Sequence, residues 1–146
     1  MLIVTIPMEY QRASEQFERF LALARDNAGL STRNQAYTMV QAVLQTFRRR
    51  LTVKQAVAFA GLLPPVLRAI FVAEWDTDDA ILPFGDLPAM TLEVQSLRRD
   101  HNFSPESSIA DVAEALWQVV DRPGFQKFLN SLPEGATKFW APDQSR

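Results

Sequence analysis

The feature that most constrains the fold of this chain is a recurrence. The stretch running from Leu62 through Pro64 and Pro65 to Trp75 returns in reduced form between Leu132-Pro133 and Phe139-Trp140. Aligning Leu63-Pro64 with Leu132-Pro133 sets an offset of 69, which also carries Ile70-Phe71 onto Phe139-Trp140 and Phe59 onto Phe128. Upstream, an offset of 73 places Ala36, Val40, Val43, Leu44 and Phe47 on Ile109, Ala113, Leu116, Trp117 and Val120, and Phe17, Leu21 and Ala24 on Met90, Val94 and Leu97. Every one of these positions is apolar. A chain patterned in this way is expected to form two related units, 9–75 and 88–140, joined by a linker over 76–87, each burying its apolar stripe against the other.

The spacing within each unit is helical. Tyr10, Ala13, Phe17, Phe20, Leu21 and Ala24 recur at intervals of three and four, which places them on one face of a helix over 9–27, closed by Gly29. Thr32 with Gln35 and Thr52 with Gln55 have the form of capping boxes, opening helices to about residues 49 and 61. The first of these presents Ala36, Tyr37, Val40, Val43, Leu44 and Phe47 as its buried stripe. Pro64-Pro65 suits the first turn of a fourth helix, over 65–74. Beyond the linker, helices are expected over 87–101, 109–120 (capped by Ser108), 122–131 and a short turn after Pro133, where Gly135 weakens any helix. The predicted fold is therefore all-α, a single globular domain of about eight helices in two pseudo-repeated four-helix units. It has an N-terminal arm over 1–8 and a frayed tail over 141–146. The arm is too short for a span or signal peptide, and Met8 is an alternative start to Met1.

A 146-residue chain with 47% hydrophobic content buries one core of ordinary size. A net charge of −2 gives no global attraction to phosphate, so nucleic acid is not an expected partner. With no cysteine, thiol nucleophiles, disulfides and cysteine-based metal sites are excluded, and a reducing cytoplasm is the expected location.

Several segments taken together, Met8-Glu9-Tyr10, Thr32 to Ala36, Phe47 to Thr52, Leu63 to Val72, Arg98 to Phe103 and Leu132 to Gly135, resemble the bacterial DUF2267 family. The resemblance spans about Met8 to Trp140. It implies an all-helical bacterial protein of unknown function, and no catalytic residue carries over from it.

Four groups of residues carry whatever chemistry the sequence offers. Arg48, Arg49, Arg50, Arg98 and Arg99, with Arg68, would form a basic patch if their helix ends converge; the plainer role is compensation of helix dipoles and pairing with nearby carboxylates. Phe71, Trp75, Phe139 and Trp140 would line an apolar groove, or else wedge helices onto the core. His101, beside Asp100, is the only histidine; it lacks a nucleophile, and a capping or core role on its helix is the expected one. Glu74, Asp76, Asp78, Asp79 and Asp86 fail the calcium-loop template at its strictest positions and read as a solvated linker. No catalytic set, metal site or cofactor is predicted. The leading expectation is a non-enzymatic interaction or regulatory protein, binding an unknown protein or a second copy of itself. A small-molecule or lipid-binding module with a cavity between the halves is the alternative, and an enzyme using His101 and carboxylates is the third reading.

Overall fold

Nine α-helices and a short 3-10 turn follow one another along residues 5–142, the part of the chain described by the computed structural model. They are α1 Met8–Gln11, α2 Ala13–Ala28, α3 Arg33–Arg48, α4 Val53–Ala60 and α5 Pro65–Val72, then α6 Leu87–Ser96, the turn Arg99–His101, α7 Ser108–Trp117, α8 Arg122–Asn130 and α9 Glu134–Phe139. The chain is all-α, and no strand occurs among the described residues. Most of the predicted arm and tail, Met1 to Val4 and Gln144 with its neighbours, lies outside that range.

Local sequence explains the helix starts. Thr32 and Thr52 each accept a hydrogen bond from the backbone N–H of Gln35 and Gln55, at 3.1 Å in both cases, while those glutamines reach back to the cap. Both satisfy orphan donors of a first turn. Pro64 and Pro133 occupy the residue before α5 and α9 with closely similar backbone angles (φ −58 and −54, ψ 156 and 152). Gly29 ends α2 in the left-handed region at φ 67, as its lack of a Cβ allows.

Three boundaries depart from the periodicity. The predicted first helix is divided, because Arg12 leaves helical geometry at φ −107 and ψ 14. Tyr10 is consequently exposed, and burial begins in earnest at Phe20. The helix expected over 87–101 stops at Ser96, because the Asn102 side-chain amide donates to the carbonyls of Val94 and Leu97, both at 2.7 Å, and takes over its last turn. The cap proposed at Ser108 belongs to Ser107, whose hydroxyl donates to Asp111 Oδ2 at 2.6 Å and accepts no hydrogen bond from a backbone N–H of the first turn.

Helix α3 is the axis of the fold. It packs against α2, α5, α6 and α7, and every residue from Thr38 to Arg48 is buried. The stripe read from the sequence is thus only part of what α3 hides, since helices surround it on all sides. Helix α2 packs most extensively on α7, and α3 reaches across to α6, so the two predicted units interlock rather than meet at flat faces. An aromatic cluster ties them together at one end. Phe47 lies 4.9 Å from Phe59, 5.2 Å from Phe139 and 5.3 Å from Trp140, centroid to centroid. Contacts of this geometry contribute about 0.5–1.5 kcal/mol each beyond burial.

The linker is more than a spacer. The backbone N–H of Leu82 donates to the Arg49 carbonyl at 3.0 Å, and Phe84 packs 5.9 Å from Phe47. Gly135 in α9 faces Phe84 so closely that a Cβ there would collide with the ring and its own Cβ. Gly135 is therefore what lets the linker seat on the core.

Candidate functional site

The C-terminus of α5 ends against the side of α3, and its free carbonyls need donors. Arg48 and Gln45 provide them: Arg48 Nη1 donates to Phe71 O at 2.8 Å and Ala73 O at 2.9 Å, and Gln45 Nε2 to Ala73 O at 3.2 Å. Immediately afterwards Glu74 turns the chain at φ 56, a left-handed conformation that costs a residue with a Cβ roughly 1–2 kcal/mol. That turn lays the Trp75 ring under the Arg48 guanidinium, 5.3 Å away. Two residues past α6, Arg98 adopts the same strained region at φ 49. The two strained residues face one another, with Arg98 Nη2 3.9 Å from Glu74 Oε1.

Between these elements lies a cleft of about 340 Å³. Its walls are polar, and its charged residues are Arg48, Arg49, Arg98, Glu74, Asp79 and Glu93. Arg48 is only 8% exposed, yet no carboxylate among the described residues lies within 4.0 Å of it, and its Nε has no hydrogen-bond partner. Burial lowers its pKa from the ordinary value, Arg49 adds to that, and Asp79 and Glu74 oppose it from a distance. Buried cations are ordinarily paired.

Arg50, two residues on, is the opposite case. Its side chain is 3% exposed and forms a two-pronged pair with Glu93, at 2.8 and 2.5 Å. It also donates to Thr46 O at 2.8 Å and Pro83 O at 3.3 Å. Hydrogen bonding from Arg50 holds the Glu93 carboxyl below its ordinary value, against the opposing effect of burial.

The predicted basic patch is therefore gathered in part. Arg48, Arg49 and Arg98 share the cleft, Arg50 turns away into its pair with Glu93, and Arg99 sits exposed on the 3-10 turn. Arg68 is elsewhere, bonded to Ala60 O and Leu63 O at the start of α5. The predicted apolar groove is corrected: Phe71, Phe139 and Trp140 are at most 1% exposed and belong to the core, because Phe71 packs on Phe59, and Phe139 and Trp140 on Phe47, within one aromatic cluster. Trp75 alone of that set reaches a cavity. His101 is exposed on the 3-10 turn rather than on a buried helical face, since α6 has already ended. Of the linker acids, Asp86 caps α6 through the Ala89 N–H at 2.8 Å and Asp76 accepts from the Asp78 N–H at 2.9 Å. Among the described residues no three His, Cys, Asp or Glu gather as a metal ion requires.

Sequence reasoning missed Gln45 and Glu93. The signal available for the first was a second, polar periodicity on α3: Gln41, Gln45 and Arg48 recur at four and three, the spacing of one helical face. A second concavity, of about 410 Å³, is mainly apolar. It lies among α2, the start of α5 and the end of α7, with Phe17, Leu23, Val66 and Val119 in its walls.

These features define a class: an all-α protein with a helix buried on all sides at its centre and a polar cleft where that helix ends. The chain belongs to the DUF2267 family, described as an uncharacterized conserved protein, whose profile matches residues 17–139. No curated protein matches it.

Proposed function

We propose that the protein is a non-enzymatic regulatory or interaction protein that works by binding at the Arg48 cleft. The observation that carries this reading is the buried Arg48 guanidinium without a carboxylate in reach, flanked by two strained residues, Glu74 and Arg98. Stored strain and unsatisfied charge concentrate where a protein meets a ligand. The reading includes descent from a duplicated four-helix unit, 9–75 and 88–140. The like backbone geometry of Pro64 and Pro133 supports that descent, and superposition of the two segments tests it. It also includes a cytoplasmic residence, in keeping with a chain that needs no disulfide; no helix among the described residues is long and apolar enough to cross a membrane.

A protein-observed NMR screen of small acids, bases, zwitterions and apolar compounds tests the binding role. Expected are shifts confined to amides of 45–50, 73–81 and 93–98 that disappear in Arg48→Met. Silence at those amides for every class of compound would overturn the proposal. A second reading, docking of a partner's amphipathic helix, is favoured by one observation: Leu23 is 40% exposed on the rim of the apolar concavity. Shifts at Phe17, Leu23 and Val119 instead of the cleft would select it.

A further inference from the structure

Resting on that reading, we infer that the cleft takes a compact zwitterion, its carboxylate on Arg48 and its cationic group on Asp79. The inference begins with a count of unpaired charge. Of the six charged residues lining the cleft, four are engaged with one another: Arg49 lies 3.7 Å from Glu93, and Arg98 lies 3.9 Å from Glu74. Arg48 and Asp79 are the two left without a contact partner, for neither has an opposite charge within 4.0 Å among the described residues, and they act on one another only at longer range. One buried cation and one exposed anion on the same small cavity ask for a ligand bearing both complements.

The other candidates fit less well. A phosphate or a polyanion would bring two or more charges to a cleft whose own charges balance, and would meet Glu74, Asp79 and Glu93 as well as the arginines. A simple cation would leave the buried Arg48 as it is. An apolar ligand would leave the buried Arg48 charge without a counter-ion. The size agrees with a small molecule, since about 340 Å³ lies at the lower end of the range for ligand cavities. Trp75 supplies an apolar wall for the carbon skeleton between the two charges. The Glu74 and Arg98 pair, long at 3.9 Å and carried on two strained residues, lines the same cleft.

The probes are ω-amino acids of roughly three to six carbons, a span suited to a cavity of this class. Each is compared with the alkanoate and the alkylammonium of the same length, by titration against amide and Trp75 indole resonances at pH 7. At least one ω-amino acid is expected to bind ten times more tightly, or better, than both of its singly charged partners. Arg48→Met is expected to remove carboxylate and zwitterion binding together. Asp79→Asn, at an exposed position that leaves the fold alone, is expected to bring the ω-amino acid down to the level of the alkanoate. Equal binding of alkanoate and ω-amino acid to the unaltered protein would overturn the inference while leaving a binding cleft in place. So would an Asp79→Asn variant that keeps the full preference, or no ω-amino acid binding at all. Only silence to every class of compound removes the underlying reading as well.

Discussion

Arg48 is the last residue of α3 and Arg50 follows two residues later; they are nearly equally buried and live in opposite electrostatic circumstances. Arg50 has a carboxylate on two of its nitrogens, two carbonyls beside it, and the linker residues Pro83 and Phe84 closed over the junction. Arg48 has carbonyls on one nitrogen, an aromatic ring beneath it, a cleft in front of it and no counter-ion. One site is finished by the fold and the other is left incomplete. The difference teaches that burial by itself does not separate a structural arginine from a binding one; what separates them is whether the chain supplies the anion. Backbone strain follows the same division. Both left-handed residues other than glycine among those described lie on the open cleft, and the Arg50 junction carries neither.

Breaking the finished site should have the largest effect. Glu93→Gln leaves Arg50 as a second buried cation without a partner, and a loss on the order of 3 kcal/mol is expected in denaturant unfolding. The same pair sets a pH dependence. Because the Glu93 carboxyl is held below its ordinary value of 4.5 in the fold, its contribution is complete above that value and is lost as pH falls through the lower folded one. Glu93→Gln should flatten that acid limb, and an unchanged limb would show that other carboxylates govern it. Next in size, Gly135→Ala drives a methyl group into Phe84 and should cost roughly 2 kcal/mol with displacement of the linker. A Phe84→Gly companion, which removes the Phe84 Cβ as well as the ring, should remove most of that clash, which a double-mutant cycle would read.

At the open site the signs reverse. Glu74→Gly relieves a strained backbone angle and should stabilise by about 1 kcal/mol in thermal unfolding; destabilisation would mean that the Glu74 side chain holds the turn. Smallest of all, Arg48→Met exchanges two carbonyl bonds for the relief of an unpaired buried charge, and a net change within about 1 kcal/mol is expected. A loss as large as that of Glu93→Gln would erase the contrast between the two arginines and make Arg48 a structural cap.

Much of the fold was legible because it rests on short-range rules. Thr32 and Thr52 announce helix starts by a spacing of three to a glutamine, Gly29 announces an end by needing no Cβ, and Pro65 marks a first turn by lacking an N–H. The end of α6 was not legible in the apolar pattern, since Leu97 and His101 continue it; Asn102, five residues beyond Leu97, competes for its carbonyls. Phe71, Phe139 and Trp140 were read as a groove because sequence reports that a side chain is apolar and not whether neighbours cover it.

The sequence by itself determined most of the helices, the caps at Thr32 and Thr52, the all-α class and the family, since each follows from residue type at a fixed spacing. Only the tertiary structure decided that α3 would be enclosed on all sides, that Glu93 would choose Arg50 and pass over Arg48, and that Gly135 would receive Phe84. Those choices depend on which surfaces helices distant in the chain bring within a few ångströms of one another. Charge pairing falls off steeply over that distance, so a difference in packing invisible to periodicity separates a closed ion pair from an open cleft.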